Sequence, residues 1–591
     1  MNVKEKIIAL RKEMKKRRIN AWIIPSSDPH QSEYVAPCWK AREWLSGFSG
    51  SAGTVVVTTD EAGLWTDSRY YIQAASELKD SGIKLYKFGL EGVPSYTRYL
   101  SEKFKETEKP IIGFDGKLLS VNQVKELKKS LEKAEFFCRE DLMDIIWTER
   151  PPVPNGEVLR LSEKYTGEST VSKLKRIREK MAEYKVNVHI VTSLDDIAWT
   201  FNIRGKDIAY NPVVISYSVI TDKEAILFVN SSKLPEEVKK SLTEDKVILK
   251  EYNEFYEYLP KLKNNSVLID PAFCNQKIKE SIEKDCNLKE KRTISVLMKS
   301  IKNEVELEGM RQAHIQDGIA MVRWMCWLDE NIGKTFHDEI TIADKLEEFR
   351  SKGDKFMGLS FNTISGYGEN GALCHYSAQK ESAAEIKPEG MLLVDSGGQY
   401  LNGTTDITRT MTTGNPSAEQ KRDYTSVLKG HIRLAKLKFP KGYTGGQLDT
   451  ATRAALWERG LNYLHGTGHG VGHFLAVHEG PQSISGRSTE PLQVGMCTSN
   501  EPGLYHEGKY GIRIETIIIT MPYMKTEYGE FFQFETITLC PMDLDLTEAE
   551  MLDKDEIRWL NDYHKTVFEK LSPFLNEKEK AWLKHETREI K

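Results

Sequence analysis

Paired cysteines, long apolar runs and blocks of one-signed charge are all missing from this 591-residue chain. Its eight cysteines (Cys38, Cys138, Cys274, Cys286, Cys326, Cys374, Cys497 and Cys540) are scattered without a CxxC pair, so reduced, mostly buried thiols are expected. No segment approaches the roughly 18 apolar residues of a membrane-spanning helix. The opening MNVKEKIIALRKEMKKRR is too charged to hold the apolar stretch of a signal peptide, and a cytoplasmic protein is expected. The formal charge is −4, with lysines and arginines spread along the chain, which argues against nucleic acid or an anionic membrane as the main partner. Several catalytic motifs are absent as well. There is no GxxxxGK[ST] loop and no GxSxG elbow. HEGPQ places Gln482 where a zincin helix needs its second histidine. GTGHGVG, from Gly466, has Val471 where the dinucleotide fingerprint needs its third glycine.

A chain of this length exceeds what one hydrophobic core organises, so two to four domains are expected. An internal repeat divides it. LRKEMKKRRINAWIIPSSD, from Leu10, aligns with IREKMAEYKVNVHIVTSLD, from Ile177, matching Met14 with Met181, Asn20 with Asn187 and Ile23 with Ile190. Each copy reads as an amphipathic helix, a turn and a buried strand, followed by an aromatic-glycine turn and β-branched strands. Two related α/β domains in tandem follow, with ERPPVPNGEV as the break between them. From about residue 300 a longer helix begins, with Ile315, Ile319, Val322 and Cys326 on one stripe. Beyond it, helices alternate with glycine-rich turns and strand-like runs, an α+β texture of helices against a curved antiparallel sheet. The tail, with DEIRWLNDYHKTVFEKL, reads as one or two helices whose Trp559 and Trp582 either pack back onto the domain or meet another subunit.

The third domain contains polar residues that a packed interior resists. Asp395 closes an apolar run, and Asp406 opens an alternating run beyond a turn, in LLVDSGGQYLNGTTDITRT. His469 lies in HGTGHGVGH, Glu501 in TSNEPGLY and Glu515 in GIRIETI. An isolated ionised group in such surroundings costs several kcal/mol. Four carboxylates are neutralised by two divalent cations, and one imidazole completes the ligand shell, so a dinuclear metal site accounts for the set. The mostly oxygen donors, without thiolate, favour manganese, with cobalt or zinc as alternatives. Strand alternation puts Arg513 on the face of Glu515 and Thr408 on the face of Asp406, where each can support its neighbour by hydrogen bonding.

The order of Asp395, Asp406, a histidine within HGxGH, a glutamate in NEPG and a glutamate in RIE resembles the M24 metallopeptidases and their pita-bread fold. NTISGYGENGALCHYS, DIAYNPVVISY and TDSRYY resemble the three-domain cytosolic aminopeptidases P within that family, over nearly the whole chain. The resemblance implies two creatinase/prolidase-like α/β domains, at 1–155 and 156–300, and a pita-bread catalytic domain at 301–591 with a helical extension from about 541.

By the same resemblance, Asp395, Asp406, His469, Glu501 and Glu515 are metal ligands, with Asp406 and Glu515 bridging two divalent ions. A hydroxide between the ions would attack the scissile carbonyl, with Glu501 as general base. His375 and His478 match the family's catalytic histidines, which hold substrate and stabilise the oxyanion. His465 matches a histidine of the proline-side pocket, for which Tyr376 is a candidate wall, and Arg513 matches a residue supporting the bridging ligands. His473 has ligand-like spacing from His469 but no ligand role in the pattern, and is expected to be structural or pocket-lining. The implied activity is removal of the N-terminal residue from short peptides with proline second, by a homodimer. The alternative is an Xaa-Pro dipeptidase on the same site. A metal-free binding relative is disfavoured, since all five ligand positions are filled.

Overall fold

The computed structural model describes residues 1–282 and 284–591. They form two compact units, Met1–Arg160 with Glu168–Ser295, and Leu161–Gly167 with Val296–Lys591. The first unit holds the duplicated half. Strands β1 (Ala21–Pro25), β2 (Thr54–Thr58), β3 (Ala62–Thr66), β4 (Lys84–Lys87), β5 (Ile111–Phe114) and β6 (Glu135–Phe137) make one sheet in the order β4-β3-β2-β1-β5-β6. The second sheet contains β7 (Val188–Val191), β8 (Ser216–Thr221), β9 (Ala225–Val229), β10 (Val247–Lys250), β11 (Ser266–Ile269) and β12 (Asn287–Glu290). Its order, β10-β9-β8-β7-β11-β12, is the same topology.

The repeat survives at the level of single side chains. Helix α1 (Val3–Lys16) buries Ile7, Leu10 and Met14, and α2 (Thr170–Glu183) buries Leu174, Ile177 and Met181, each 167 positions on. Asn20 exchanges two hydrogen bonds with Ile111 at the start of β5, both 2.8 Å. Asn187 does the same with Ser266 at the start of β11. The copies also meet symmetrically: the Val121 N–H donates to the Cys274 carbonyl and the Gln276 N–H to the Leu119 carbonyl, both at 2.9 Å, around the Ser120–Asn275 bridge. A duplicated sheet thus pairs through equivalent strand-end loops.

In the second unit, α3 (Glu304–Asn331) starts at an Asn303–Glu306 capping box. Of its expected stripe, Val322 and Cys326 are buried, while Ile315 and Ile319 pack half-buried against the main core. After α4 (Glu339–Ser351), strands β13 (Ile364–Tyr367), β14 (Met391–Ser396) and β15 (Ile407–Thr412) form an antiparallel sheet with β14 central. Helices α5 (Ala418–Ala435) and α6 (Gly445–Trp457) alternate with further strands. These are β16 (Lys438–Pro440), the short pair β17 (Gly468–His469) and β18 (Ser483–Ile484), β19 (Cys497–Asn500), the hairpin β20 (Gly503–His506) and β21 (Tyr510–Arg513), β22 (Thr516–Thr526) and β23 (Gly529–Thr536). Strands β16, β23, β22 and β19 form a second antiparallel sheet in that order. Among the described residues no helix is long and apolar enough to cross a membrane.

The tail forms α7 (Lys554–Leu571) and α8 (Glu577–Glu586). Trp559 stacks on Tyr563, with ring centroids 5.3 Å apart, and stands edge-on to His431 at 6.1 Å. The Trp582 Nε1–H donates to Asp329 at 2.6 Å. Both indoles are therefore engaged within their own unit, the packed alternative for this tail.

Glycines set how closely the strands approach the loop that follows β13. A methyl group on Gly511 would stand 1.7 Å from the Gly371 carbonyl oxygen, and one on Gly366 would stand 2.7 Å from the Gly371 Cα. Backbone lies directly on backbone there, which no side chain permits. Gly511→Ala should destabilise the unit by about 1–3 kcal/mol. It should lower the unfolding midpoint and speed alkylation of Cys374, read by mass spectrometry. An unchanged midpoint and labelling rate would contradict this packing.

Candidate metal centre

Strand β14 delivers Asp395, whose register partner on β15 is Thr408; Asp406 sits just ahead of β15. The two aspartates are thus diagonal neighbours, not direct cross-strand partners. Glu515 stands between β21 and β22, and its N–H donates to the Thr408 carbonyl at 3.1 Å, which pins it beside the aspartate hairpin. Glu501 follows β19, its N–H bonded to the Thr467 carbonyl at 2.8 Å. His469 ends the two-residue strand β17.

These side chains converge. Asp406, His469 and Glu515 each offer a ligand atom within 4.8 Å of the other two. His469 Nε2 is 3.4 Å from both Asp406 Oδ2 and Glu501 Oε1. Its Nδ1–H donates to the Gly470 carbonyl at 2.9 Å, which fixes the tautomer and turns Nε2 towards the carboxylates. Asp395 reaches the group through Arg513, whose Nη2 donates to Asp395 Oδ2 at 2.6 Å.

The supporting bonds are crossed relative to the expectation from strand alternation. Thr408 donates to Glu515 at 2.7 Å and Arg513 pairs with Asp395, so each serves a ligand on another strand and not its own neighbour. Packing between the hairpin and β21 decides this, because it brings the strands face to face. Sequence spacing sees only one strand at a time.

Three carboxylate oxygens in the cluster, Asp395 Oδ1, Asp406 Oδ1 and Glu515 Oε1, are buried with no hydrogen-bond partner among the described residues. Buried oxygens without donors are costly for a protein that folds around itself alone, and they fit hard divalent cations. Metal-free electrostatics agree. Burial, then repulsion from Asp406 and Glu501, raises the Asp395 carboxyl to about 6 against the pull of Arg513. Burial and the charges of Asp406, Glu501 and Asp395 push Glu515 well above the usual carboxylate range. Burial opposes charge on His469, yet the Asp406 and Glu501 carboxylates outweigh it and raise the imidazole to about 9.

The remaining residues lie around this cluster. His478 stands edge-on to His469, with ring centroids 4.3 Å apart. His375 lies in the loop between β13 and β14, where the carbonyl of its neighbour Cys374 accepts from Arg513 at 3.4 Å. His465 donates from Nδ1 to the Gly466 carbonyl and accepts from the Tyr505 hydroxyl, both at 2.8 Å. Burial, aided by Arg513 and Arg453, lowers it to about 4, so it is neutral. Tyr505, which sequence reading missed, accepts from Arg513 Nη1 at 2.6 Å and so links His465 to Asp395. Its signal was positional: four residues after Glu501, on a hairpin with Arg513. Tyr376 is buried with its hydroxyl donating to Glu339 at 2.8 Å, so that hydroxyl is not a free pocket wall. His473 is buried against α3, where a methyl on Gly309 would stand 3.1 Å from its Nε2. The glycines of HGTGHG serve close packing: a methyl on Gly468 would lie 2.0 Å from the Ser499 carbonyl, and one on Gly470 would lie 1.9 Å from that of Glu479.

Comparison with known proteins gives a consistent picture. Residues 308–521 match the model of metallopeptidase family M24, and 530–590 that of the C-terminal region of peptidase M24. Residues 6–146 and 149–306 match two models of the creatinase/prolidase N-terminal domain. A probable Xaa-Pro aminopeptidase P of Coprinopsis cinerea is 42% identical, covering 100% of this chain and 99% of its own. Xaa-Pro aminopeptidase 1 of Dictyostelium discoideum is 40% identical, covering 100% and 97%. The crystal structure of X-prolyl aminopeptidase from Caenorhabditis elegans, described as a cytosolic enzyme with a di-nuclear active site, superposes with a TM-score of 0.95 at 35% identity, covering 100% of both chains. A prolidase from Thermococcus sibiricus, 22% identical, shares the fold over 64% of this chain and 99% of its own, with a TM-score of 0.50.

Because cations must displace the protons on Asp395, Glu515 and His469, their binding should release protons and weaken in acid. The sign for Asp395 follows from its raised value: metal-free stability present at low pH is lost as pH rises through about 6. Chelation should therefore lower the unfolding midpoint more at about pH 7.5 than at about pH 5. Scanning calorimetry of loaded and stripped protein checks this; a gap that narrows with rising pH would count against the site.

Proposed function

The chain belongs to metallopeptidase family M24, among its Xaa-Pro aminopeptidases, and we propose that it is a metal-dependent aminopeptidase that uses the acidic cluster to remove the residue preceding proline. One observation carries the reading: Asp406 and Glu515, each with a buried oxygen that lacks a hydrogen-bond partner among the described residues, converge with a histidine whose Nδ1–H is fixed on a backbone carbonyl. Asp395, Asp406, His469, Glu501 and Glu515 would hold two divalent ions, with Asp406 and Glu515 as the candidates for the shared positions. The oxygen-rich set supports manganese. Two divalent ions held there would lower the pKa of a coordinated water towards neutrality and polarise the scissile carbonyl.

The chain's own residues do the rest. Glu501 is a ligand with 18% of its side chain exposed, against 5% for Asp406, so it faces the cleft from which a proton must be taken. The Ser499 hydroxyl donates to Glu501 Oε1 at 3.1 Å and leaves Oε2 to act as base. The nitrogen leaving an Xaa-Pro bond is proline's own secondary amine, so the proton collected by Glu501 has an acceptor. His478 and His375 bind the substrate and stabilise the oxyanion. Neutral His465, held by Tyr505, faces the proline side. Arg513 fixes Asp395 and Tyr505 together.

The reading extends to a cytoplasmic setting, supported by the cytosolic relative, and to a homodimer. Purified protein, stripped and given manganese, should release arginine from Arg-Pro-Pro, while Asp406→Ala and amino-blocked peptide should give none. Release from Ala-Pro but not from Arg-Pro-Pro would replace this reading with a dipeptidase. No release with manganese, cobalt or zinc would overturn it.

A further inference from the structure

Glu339, the first residue of α4, is fully buried, yet no lysine or arginine pairs with it among the described residues. A buried carboxylate without a cation is expensive unless donors surround it. Here they do, and all of them come from one segment. Oε1 accepts from the Tyr367 N–H at 2.7 Å and from Asn370 Nδ2 at 3.0 Å. Oε2 accepts from the Tyr376 hydroxyl at 2.8 Å and the Ala384 N–H at 2.9 Å. The start of α4 adds a helix dipole that favours negative charge at this position.

The segment so gathered, 367–384, is the loop that carries His375. The residue before that histidine, Cys374, is held through its carbonyl by Arg513, and the residue after it, Tyr376, is held through its hydroxyl by Glu339. Gly371 in the same loop is pressed against the backbone of Gly511. His375 is therefore suspended between a ligand-supporting arginine and a carboxylate that touches nothing in the metal centre by any hydrogen bond or ion pair described. A closed turn of this kind could be held by apolar packing at lower cost. Four donor groups gathered on one buried carboxylate instead confer a fixed position.

We propose that Glu339 is a positioning residue for the reaction, acting through His375: it sets the loop so that the imidazole meets the substrate carbonyl. The proposal rests on the reading of His375 given above. Glu339→Gln is the sharp test, because volume is kept while an amide NH2 meets donors that previously met an acceptor.

The loss expected for Arg-Pro-Pro is tenfold to about a hundredfold in kcat/KM, carried mainly by kcat, with bound manganese per chain unchanged. In a His375→Ala background the same substitution should cost less than about twofold, since the group it positions is gone. Tyr376→Phe, which removes one of the bonds, should show a smaller loss with the same dependence on His375. It also decides the matter should Glu339→Gln not fold. Wild-type kinetics for His375→Ala would overturn the assignment of His375, and this proposal with it. An impaired His375→Ala with an unimpaired Glu339→Gln would overturn this proposal alone, as would equal losses from Glu339→Gln with and without His375, or loss of manganese from the variant.

Discussion

The catalytic unit is built around a repulsion. Asp395, Asp406, Glu501 and Glu515 are brought within reach of one another in a site where Asp395, Asp406 and Glu515 are buried. Like charges in low dielectric oppose such a gathering strongly. The surrounding fold therefore has to impose it, and most of the polar architecture of this unit can be understood as the means. Arg513 pairs with Asp395, Thr408 donates to Glu515 and Ser499 donates to Glu501. Each of these supports arrives from a different strand in a different sheet, so the positions of the candidate ligands are fixed by how these sheets pack together.

Behind the candidate ligands stands Arg409, fully buried and paired with no carboxylate among the described residues. It donates to the Thr408 and Glu515 carbonyls at 2.9 and 2.8 Å, to those of Pro541 and Cys540 at 2.9 and 2.7 Å, and to the Tyr563 hydroxyl at 3.0 Å. A guanidinium spreads its donors in a planar fork, and here it joins three chain segments at one point. One of them is the backbone of a ligand and another is α7. The C-terminal helices, with Trp559 and Tyr563 stacked under His431, are consequently part of the wall that holds Glu515. Removing the tail would expose more than an apolar face, since it would also strip partners from the arginine that braces the ligand strands.

Much of this was legible in the sequence, for a reason that differs from element to element. The repeat was legible because buried helix positions and the Asn20–Asn187 pair recur at one offset, and the structure gives both asparagines the same hydrogen bonds. The ligand candidates were legible because carboxylates at strand ends in apolar surroundings need a cation. The partners of those ligands were not. Which strand lies over which is a tertiary fact, so Thr408 was matched with Asp406 and Arg513 with Glu515, whereas packing crosses them. Glu339 was invisible for a related reason: at the head of an amphipathic helix, a glutamate ordinarily reads as a solvated first-turn residue. Only the loop folded over it makes it a buried anion. The bond from the Tyr376 hydroxyl to Glu339 was illegible for the same reason, since the two residues lie 37 positions apart.

The crossing of partners also bears on how charge is shared within the centre. Arg513 gives its positive charge to Asp395, the carboxylate farthest along β14. Asp406 faces the imidazole of His469 at 3.4 Å and helps to hold its proton in the metal-free chain, whereas Glu515 has a threonine hydroxyl and no cationic partner among the described residues. Asp395, Asp406 and Glu515 each keep one buried oxygen without a hydrogen-bond partner among the described residues. Glu515, which burial and the charges of Asp406, Glu501 and Asp395 push well above the usual carboxylate range, is thus the one left without a charged partner of the chain's own. Divalent cations would supply to Glu515 the positive charge that Asp395 receives from Arg513, and would replace the proton that Asp406 meets on His469.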